Sequence, residues 1–210
     1  MGKGRVVEIA ESPAGVRLLV EAPAGFGEDV RTGDSICVSG VCLTHAPDGS
    51  GVGDSHAGAL VFDVIAETLA KTTLGSLTAG CEINLERSVR ADGMLDGHIV
   101  QGHVEGVGEV VRITPGGEDH RIAVRAPREL MECITPKGSI AIDGVSLTIA
   151  GVEVEADEFE VALIPTTLDL TTLGSLRVGS RVNIETDIVG RTVVHWLRSY
   201  GAGSSAGGGS

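Results

Sequence analysis

VIAETLAKTTLGSLTAGCEINLE (64–86) returns as LIPTTLDLTTLGSLRVGSRVNIE (163–185), identical at 12 of 23 positions at a constant offset of 99. Working outward, GDSICVSGVCLT (33–44) returns as KGSIAIDGVSLT (137–148), matching at 6 of 12 positions at an offset of 104. LLVEAP (18–23) pairs with IAVRAP (122–127), and GRVV (4–7) with GEVV (108–111), both again at 104. The five extra residues of the first copy fit the Gly/Asp/Ser-rich stretch 47–59 as a loop insertion. A period of roughly 100 residues is too long for a solenoid and suits a duplicated domain.

The rest of the chain supports two small β domains. Short Val/Ile-rich runs recur between Gly, Pro, Asn and Asp: RVVEI, VRLLVEAP, SICV, VCLT, LVFDV and EINLE, then EVVRI, RIAVRAP, SIAI, VSLTI, FEVALI and RVNIE. That punctuation is the pattern of small barrels or sandwiches. Ser39-Gly40 and Asp143-Gly144 break matching apolar runs and predict a tight turn or a bulge at a barrel corner. A short helix is expected at Glu67–Leu74 and at Thr166–Leu173, each ended by a glycine, Gly75 or Gly174, suited to a C-cap. Each copy thus reads as six strands plus one helix, closed into a barrel. Ile188–Tyr200 (IVGRTVVHWLRSY) has the apolar spacing of an amphipathic helix outside the barrels and no counterpart in the first copy. We therefore divide the chain into a first barrel (1–91), a second barrel (92–187), an oligomerisation helix (188–200) and a disordered Gly/Ser tail (201–210).

Composition narrows the function. Mean hydropathy is +0.22, yet no apolar run approaches the roughly 20 residues of a membrane span, and no signal-peptide stretch opens the chain. A net charge of −13 disfavours nucleic acid and anionic membranes. Five aromatic residues provide no stacking platform for bases. Partners should be small molecules or further copies of the chain. Cys37, Cys42, Cys81 and Cys133 form no CxxC pair and read as free buried thiols in a reducing cytosol. Cys37 and Cys42, five apart, are expected on opposite faces of a strand. So are His98 and His103, which argues against a metal site. There is no phosphate loop, HExxH, GxSxG or EF-hand loop, so no cofactor and no metal are expected.

The polar residues placed to use a pocket lie in the repeated segments. Ser35, Cys42 and Thr44 correspond to Ser139, Ser146 and Thr148. Such groups on strand ends can hydrogen-bond the edge of a flat heterocycle. They equally satisfy β-propensity and local backbone. The TTLG segments read first as helix ends whose hydroxyls bind local backbone, and Glu67 as a first-turn charge complementing the helix dipole.

GDSICVSGVCLT, KGSIAIDGVSLT, GHIVQGHVEGVG, ETLAKTTLG and LIPTTLDLTTLG together resemble the riboflavin synthases of the lumazine-binding-domain family, over about residues 4–197. The resemblance implies two tandem six-stranded Greek-key barrels, a C-terminal helix, a homotrimer and association with lumazine synthase in the cytoplasm. The implied reaction joins two molecules of 6,7-dimethyl-8-ribityllumazine, which exchange a four-carbon unit to give riboflavin and 5-amino-6-(ribitylamino)uracil. A duplicated barrel supplies the two similar pockets such a self-reaction needs. The alternative is a non-catalytic lumazine- or flavin-binding protein of the same family.

Matched residue by residue, the resemblance implies that Cys42, Leu43 and Thr44 contact the ring in the first barrel. Asp63, Val64, Ile65, Ala66, Glu67 and Thr68 bind the ring edge and ribityl chain. Gly102, His103 and Val104 form the opening strand of the second barrel, with His103 transferring protons. Lys137, Ser146, Leu147 and Thr148 belong to the second pocket, together with Leu163, Ile164, Pro165, Thr166, Thr167 and Leu168. His103, Ser35, Cys42, Ser146 and Thr148 are the candidate catalytic set. The family active site joins the first barrel of one subunit to the second barrel of another.

The family's Met-Phe-Thr-Gly-Ile-Val opening, in register with Val100–Val104, has no counterpart here, because Gly4 pairs with Gly108. Ser39 also stands where the family has Asn before the turn glycine. Either translation starts upstream of Met1, or the opening strand is lost and a sheet edge exposed. The chain as given is expected to bind lumazine or riboflavin mainly through its second barrel and to turn over poorly. Adding a Met-Phe-Thr-Gly-Ile-Val segment should raise riboflavin formation by orders of magnitude in a flavin absorbance assay. Equal rates with and without it would refute this expectation.

Overall fold

The computed structural model describes residues 1–46, 59–94, 97–116 and 120–201. The loop insertion expected at 47–59 and the tail expected at 201–210 lie outside the described residues, apart from Ala59 and Gly201. Every Val/Ile-rich run becomes a strand. In the first half these are β1 (Gly2–Ser12), β2 (Gly15–Glu21), β3 (Ser35–Val38), β4 (Val41–Thr44), β5 (Leu60–Ile65) and β6 (Glu82–Arg87). In the second they are β7 (Gly106–Thr114), β8 (His120–Arg125), β9 (Ser139–Ile142), β10 (Val145–Glu153), β11 (Glu158–Leu163) and β12 (Arg181–Thr186). The second set closes into a barrel in the order β10-β11-β8-β7-β12-β9. The first follows the same ring, β4-β3-β6-β1-β2-β5. Its ends meet through a bridge between His45 and Phe62 and an Ala46 N–H bond to the Val61 carbonyl of 2.8 Å.

Alternation places one apolar face of each strand inside. The first interior is packed around Phe62 with Val6, Leu18, Ile36, Ile83 and Leu85. The second is packed around Phe159 with Val110, Ile122, Ile142, Ile149 and Ile184. β1 and β7 shift register at the same place, between Val6 and Glu8 and between Val110 and Arg112. Such a bulge bends a strand enough to turn a barrel corner.

Three local expectations need correction. The helices α1 (Ala66–Lys71) and α2 (Pro165–Leu170) stop before the glycines, and a 3-10 turn follows each, Thr73–Ser76 and Thr172–Ser175. Gly75 and Gly174 sit inside these turns as close-approach residues and not as C-caps. A Cβ there would lie 2.3 Å from the Leu69 carbonyl oxygen and 2.4 Å from that of Leu168. The opening strand expected at Gly102–Val104 is not a strand, because its amides turn onto a carboxylate instead of a ladder (below). Finally, the edge expected to be exposed at the start of the first barrel is partly paired, β1 laddering with β6 over Gly2–Arg5 and with β2 over Arg5–Ser12.

The TTLG hydroxyls do bind local backbone. Thr72 Oγ1 donates to the Thr68 carbonyl at 2.7 Å, and Thr171 Oγ1 to that of Thr167 at 2.6 Å. The helix α3 (Ile188–Tyr200) occupies the span its periodicity predicts, capped by the Asp187 carboxylate accepting from Val189 N–H at 2.7 Å. It buries none of its own residues and leaves Val189, Val193, Trp196, Leu197 and Tyr200 more than half exposed.

The two barrels meet about a pseudo-dyad. Ser39-Gly40 and Asp143-Gly144 are two-residue turns with both φ positive (43° and 84°, 46° and 79°), the type I′ geometry of tight hairpins. They stand back to back, so that a Cβ on Gly40 would lie 2.8 Å from the Gly144 nitrogen, and one on Gly144 2.8 Å from that of Gly40. Buried Asn84 donates to the Asp143 carbonyl at 3.0 Å and accepts from Thr172 N–H at 2.8 Å. Asn183 mirrors it, donating to the Ser39 carbonyl at 2.7 Å and accepting from Thr73 N–H at 2.8 Å.

Asp143 Oδ1 accepts from Asn183 N–H at 2.8 Å, where Ser39 Oγ accepts from Asn84 N–H at 3.2 Å. Burial pushes the Asp143 carboxyl up to about 7 despite that hydrogen bond. The folded chain therefore keeps a proton that the unfolded chain releases near pH 4. The associated stability is full below that pH and is lost as pH rises through 7, by about 4 kcal/mol in all. Asp143→Asn keeps the acceptor and has no proton to lose. In urea unfolding from pH 5 to 8, the parent should lose stability relative to this variant, which ends more stable at pH 8. Parallel curves would contradict the assignment.

Candidate functional site

The strands that leave the paired turns carry Cys42, on β4, and Ser146, on β10, at equivalent positions. The connection from β6 to β7 runs across both. Together they enclose a cavity of about 590 Å³ whose wall includes Cys37, Cys42, Glu86, His98, Gly102 and Ser146. His98 Nδ1 shares a 2.8 Å hydrogen bond with Ser146 Oγ, while its Nε2 is buried with no hydrogen-bond partner among the described residues. Cys42 N–H donates to the Gly102 carbonyl at 2.8 Å. Gly102 has φ +76°, and a Cβ on it would lie 2.7 Å from Cys42 Cβ, so only glycine lets the connection approach β4 this closely.

A buried carboxylate holds this connection in place. Glu185, on β12 and 2 % exposed, accepts from the N–H groups of Gln101, Gly102 and His103 at 2.7, 2.9 and 3.0 Å. Consecutive amides converging on an anion form a nest. Helix α3 adds a second tie: Arg191 reaches the Gln101 side-chain oxygen at 2.9 Å and Glu105 at 3.2 Å. Glu105 in turn accepts from Thr186 N–H and Oγ1, both at 2.7 Å.

The cavity unites Cys42, Gly102 and Ser146 from the sequence-derived set, and the other residues lie elsewhere. His103 is exposed and outside the cavity wall. Ser35 stands opposite Thr44, and Ser139 opposite Thr148, on the same rungs of equivalent hairpins. Thr44, Ser146 and Thr148 are exposed, whereas Leu43, Val64 and Leu163 point into the barrel interiors and Leu147 is half-buried.

On β5, exposed Asp63 forms a two-pronged pair with Arg17 at 2.8 Å, and the Arg17 hydrogen bond holds its carboxyl below the usual range. Ile65 and Ala66 are exposed next to it, with Thr68 half-buried. Glu67 is likewise lowered by its 2.7 Å hydrogen bond with Lys71, an exposed pair one helical turn apart. In the second barrel Ile164, Pro165 and Thr166 are exposed beside half-buried Thr167 and Leu168. Lys137 takes a positive φ of 67° as its N–H donates to the Ile149 carbonyl at 2.9 Å. Val104 packs partly against the first barrel's interior cluster.

Two residues escaped the sequence reading. Glu185 is the last position of the 23-residue repeat, equivalent to Glu86, and that shared glutamate was the available signal. His98 binds Ser146, a role that its spacing of five from His103 does not signal. Among the described residues no group of three or more His, Cys, Asp or Glu could hold a metal. No described helix is long and apolar enough to cross a membrane.

The fold and this cavity define a protein of two matched barrels joined on a pseudo-dyad. The family model for the lumazine binding domain matches residues 1–88 and again 101–187. The riboflavin synthase of Mycobacterium tuberculosis (strain CDC 1551 / Oshkosh) is 44% identical over 189 residues, covering 88% of this chain and 89% of that one. The Bacillus subtilis (strain 168) riboflavin synthase is 39% identical over 170 residues, covering 81% and 75%. Among solved structures, LumP complexed with 6,7-dimethyl-8-(1'-D-ribityl) lumazine superposes with a TM-score of 0.76 at 26% identity, covering 89% of this chain and 96% of that one. LumP complexed with riboflavin gives a TM-score of 0.77 at 28% identity, covering 88% and 95%. The chain belongs to the lumazine-binding riboflavin synthase family.

Glu185→Gln leaves one acceptor oxygen and sets an NH₂ donor against the amides of 101–103. A lost charge-assisted bond of this kind costs about 1.5–3 kcal/mol. Amide hydrogen exchange at Gln101–His103 should accelerate about 10- to 100-fold, with the β11 amides unchanged. Unaltered exchange at 101–103 would show that the nest does not hold the connection.

Proposed function

We propose that the chain is a riboflavin synthase. It joins two molecules of 6,7-dimethyl-8-ribityllumazine, one giving and one accepting a four-carbon unit, and releases riboflavin and 5-amino-6-(ribitylamino)uracil. The observation that carries this reading is the repetition of one outward-facing polar ladder, Ser35/Thr44 and Ser139/Thr148, on two barrels of the same topology. A reaction between two identical molecules calls for two such faces. The lumazine and the riboflavin complexed with LumP in the superposable structures support ligands of this class.

In this reading the first barrel (1–91) holds one ring with Cys42–Thr44 and Asp63–Thr68, and the second (92–187) holds the other with Ser146–Thr148, Leu163–Leu168 and Lys137. Hydroxyls on the strands position the ring edges, and exposed Ile65 and Ile164 offer apolar contact to the ring faces. Holding two rings face to face contributes about 7–11 kcal/mol through proximity and orientation. The lumazine's acidic C7 methyl loses a proton, and exposed His103 takes it up and returns it. The faces lie on different barrels around one dyad, so two rings meet when the first barrel of one protomer faces the second of another. The uncovered apolar side of α3 joins protomers into a homotrimer.

Incubation of purified protein with the lumazine should yield one riboflavin and one 5-amino-6-(ribitylamino)uracil per two lumazines consumed. His103→Gln should lower kcat about 10²- to 10⁴-fold, the usual range for a lost general acid–base group, with lumazine binding retained. A lumazine spectral shift without turnover in the parent protein would overturn the enzymatic reading. No shift at all would overturn the ligand.

A further inference from the structure

Cys37 and Cys42 are not on opposite faces of one strand, as their spacing of five predicts. The Ser39-Gly40 turn folds the run into a hairpin, and the two cysteines become direct partners across β3 and β4. Residues directly opposite in an antiparallel pair share a face, and both cysteines line the same cavity. The pair is of the type without mutual backbone hydrogen bonds. Cys42 N–H points away to the Gly102 carbonyl at 2.8 Å, and Cys37 pairs on its other side with Glu86 of β6. In that type of pair the Cα atoms approach to about 4.5 Å, inside the range of about 4.4–6.8 Å that a disulfide spans. The expectation of free buried thiols therefore needs revision: all four cysteines are free, but Cys42 is exposed and the others are half-buried.

We propose that Cys37 and Cys42 are a reversible dithiol–disulfide pair, oxidised by a small-molecule disulfide such as glutathione disulfide. Exposure makes Cys42 the thiol that meets the oxidant first. Its thiolate attacks one sulfur of glutathione disulfide, forming a mixed disulfide and releasing one glutathione. The Cys37 sulfur then attacks the Cys42 sulfur, its proton passing to the departing second glutathione. Two protein thiols lose two electrons, and one glutathione disulfide gains them to become two glutathiones. Burial pushes the Cys37 thiol up to about 12, so Cys37 is a poor partner for bulk oxidants and reacts only once Cys42 is activated beside it. The spacing sits at the short end of the disulfide range, which leaves the bond open to reductants. Cys81 and Cys133 have no such partner: the sulfur of Cys81 faces Thr78 Oγ1 at 3.3 Å.

The disulfide does not depend on the proposed reaction. Its consequence does, for closing it would remove the thiol of Cys42 from a residue assigned to ring contact. The test is therefore chemical. The intact protein is equilibrated in millimolar glutathione disulfide, quenched in acid, alkylated and cut with trypsin. The fragment Thr32–Lys71, which carries both cysteines, should become lighter by two hydrogen atoms and resist alkylation. Cys81 and Cys133 should still alkylate, and dithiothreitol should restore both thiols of the pair. In Cys37→Ala, Cys42 should instead retain glutathione. Stable glutathione on Cys42 of the parent protein would overturn the proposal, as would two alkylated thiols in its Thr32–Lys71 fragment.

Discussion

Asn84 and Asn183 are the interaction on which the rest of the molecule depends. Each lies on the last strand of one barrel and uses its side chain entirely on the other barrel: the NH₂ binds a hairpin carbonyl, and the oxygen accepts an amide from a TTLG turn. A buried amide left without partners costs about 1–3 kcal/mol per lost bond, so neither barrel can present this edge to an apolar neighbour. It can be satisfied only by another edge of the same design. The duplication is thus an interface requirement as well as a record of ancestry, and it explains which residues the copies share. Thr72 and Thr171 shape the turns, Gly75 and Gly174 let them approach the helices, and the asparagines join the barrels.

That requirement limits where a ligand can be held. Ser39, Asp143 and both asparagines are buried and bound to one another, so the polar groups nearest the dyad are unavailable to a substrate. What remains are the outward rungs of the strands that leave it: Cys42 and Thr44 on one side, Ser146 and Thr148 on the other. The dyad holds these rungs at matched positions without touching them.

Much of this was legible in the chain. Strands and α3 declare themselves through apolar periodicity, because burial of one face is a local pattern with a fixed repeat. The 3-10 turns were not legible, since Gly75 and Gly174 are selected by a contact with Leu69 and Leu168 carbonyls and not by a left-handed conformation. The cysteine pairing does not follow from spacing along one strand: the Ser39-Gly40 break reads equally as a turn or a bulge, and only the turn sets Cys37 against Cys42. The connection before β7 was misread for a deeper reason. Its amides are satisfied by Glu185, more than eighty positions away in sequence, and no local pattern carries that distance.

That same connection touches both barrels, through Cys42 on one and Ser146 on the other. Glu185 is saturated by three amides, while its equivalent Glu86 faces the cavity beside Cys37 and Cys42. His98 comes from the connection and binds Ser146, so the second barrel's rung carries an imidazole where the first barrel's Cys42 carries a backbone contact from Gly102. In the reaction proposed for this chain, two molecules of one compound end as different products and must be treated differently. Identical barrels would hold donor and acceptor alike and favour neither role. In the proposed reaction the dyad would supply the match in shape, while His98 on Ser146 and Gly102 on Cys42 would give the two rungs different chemistry.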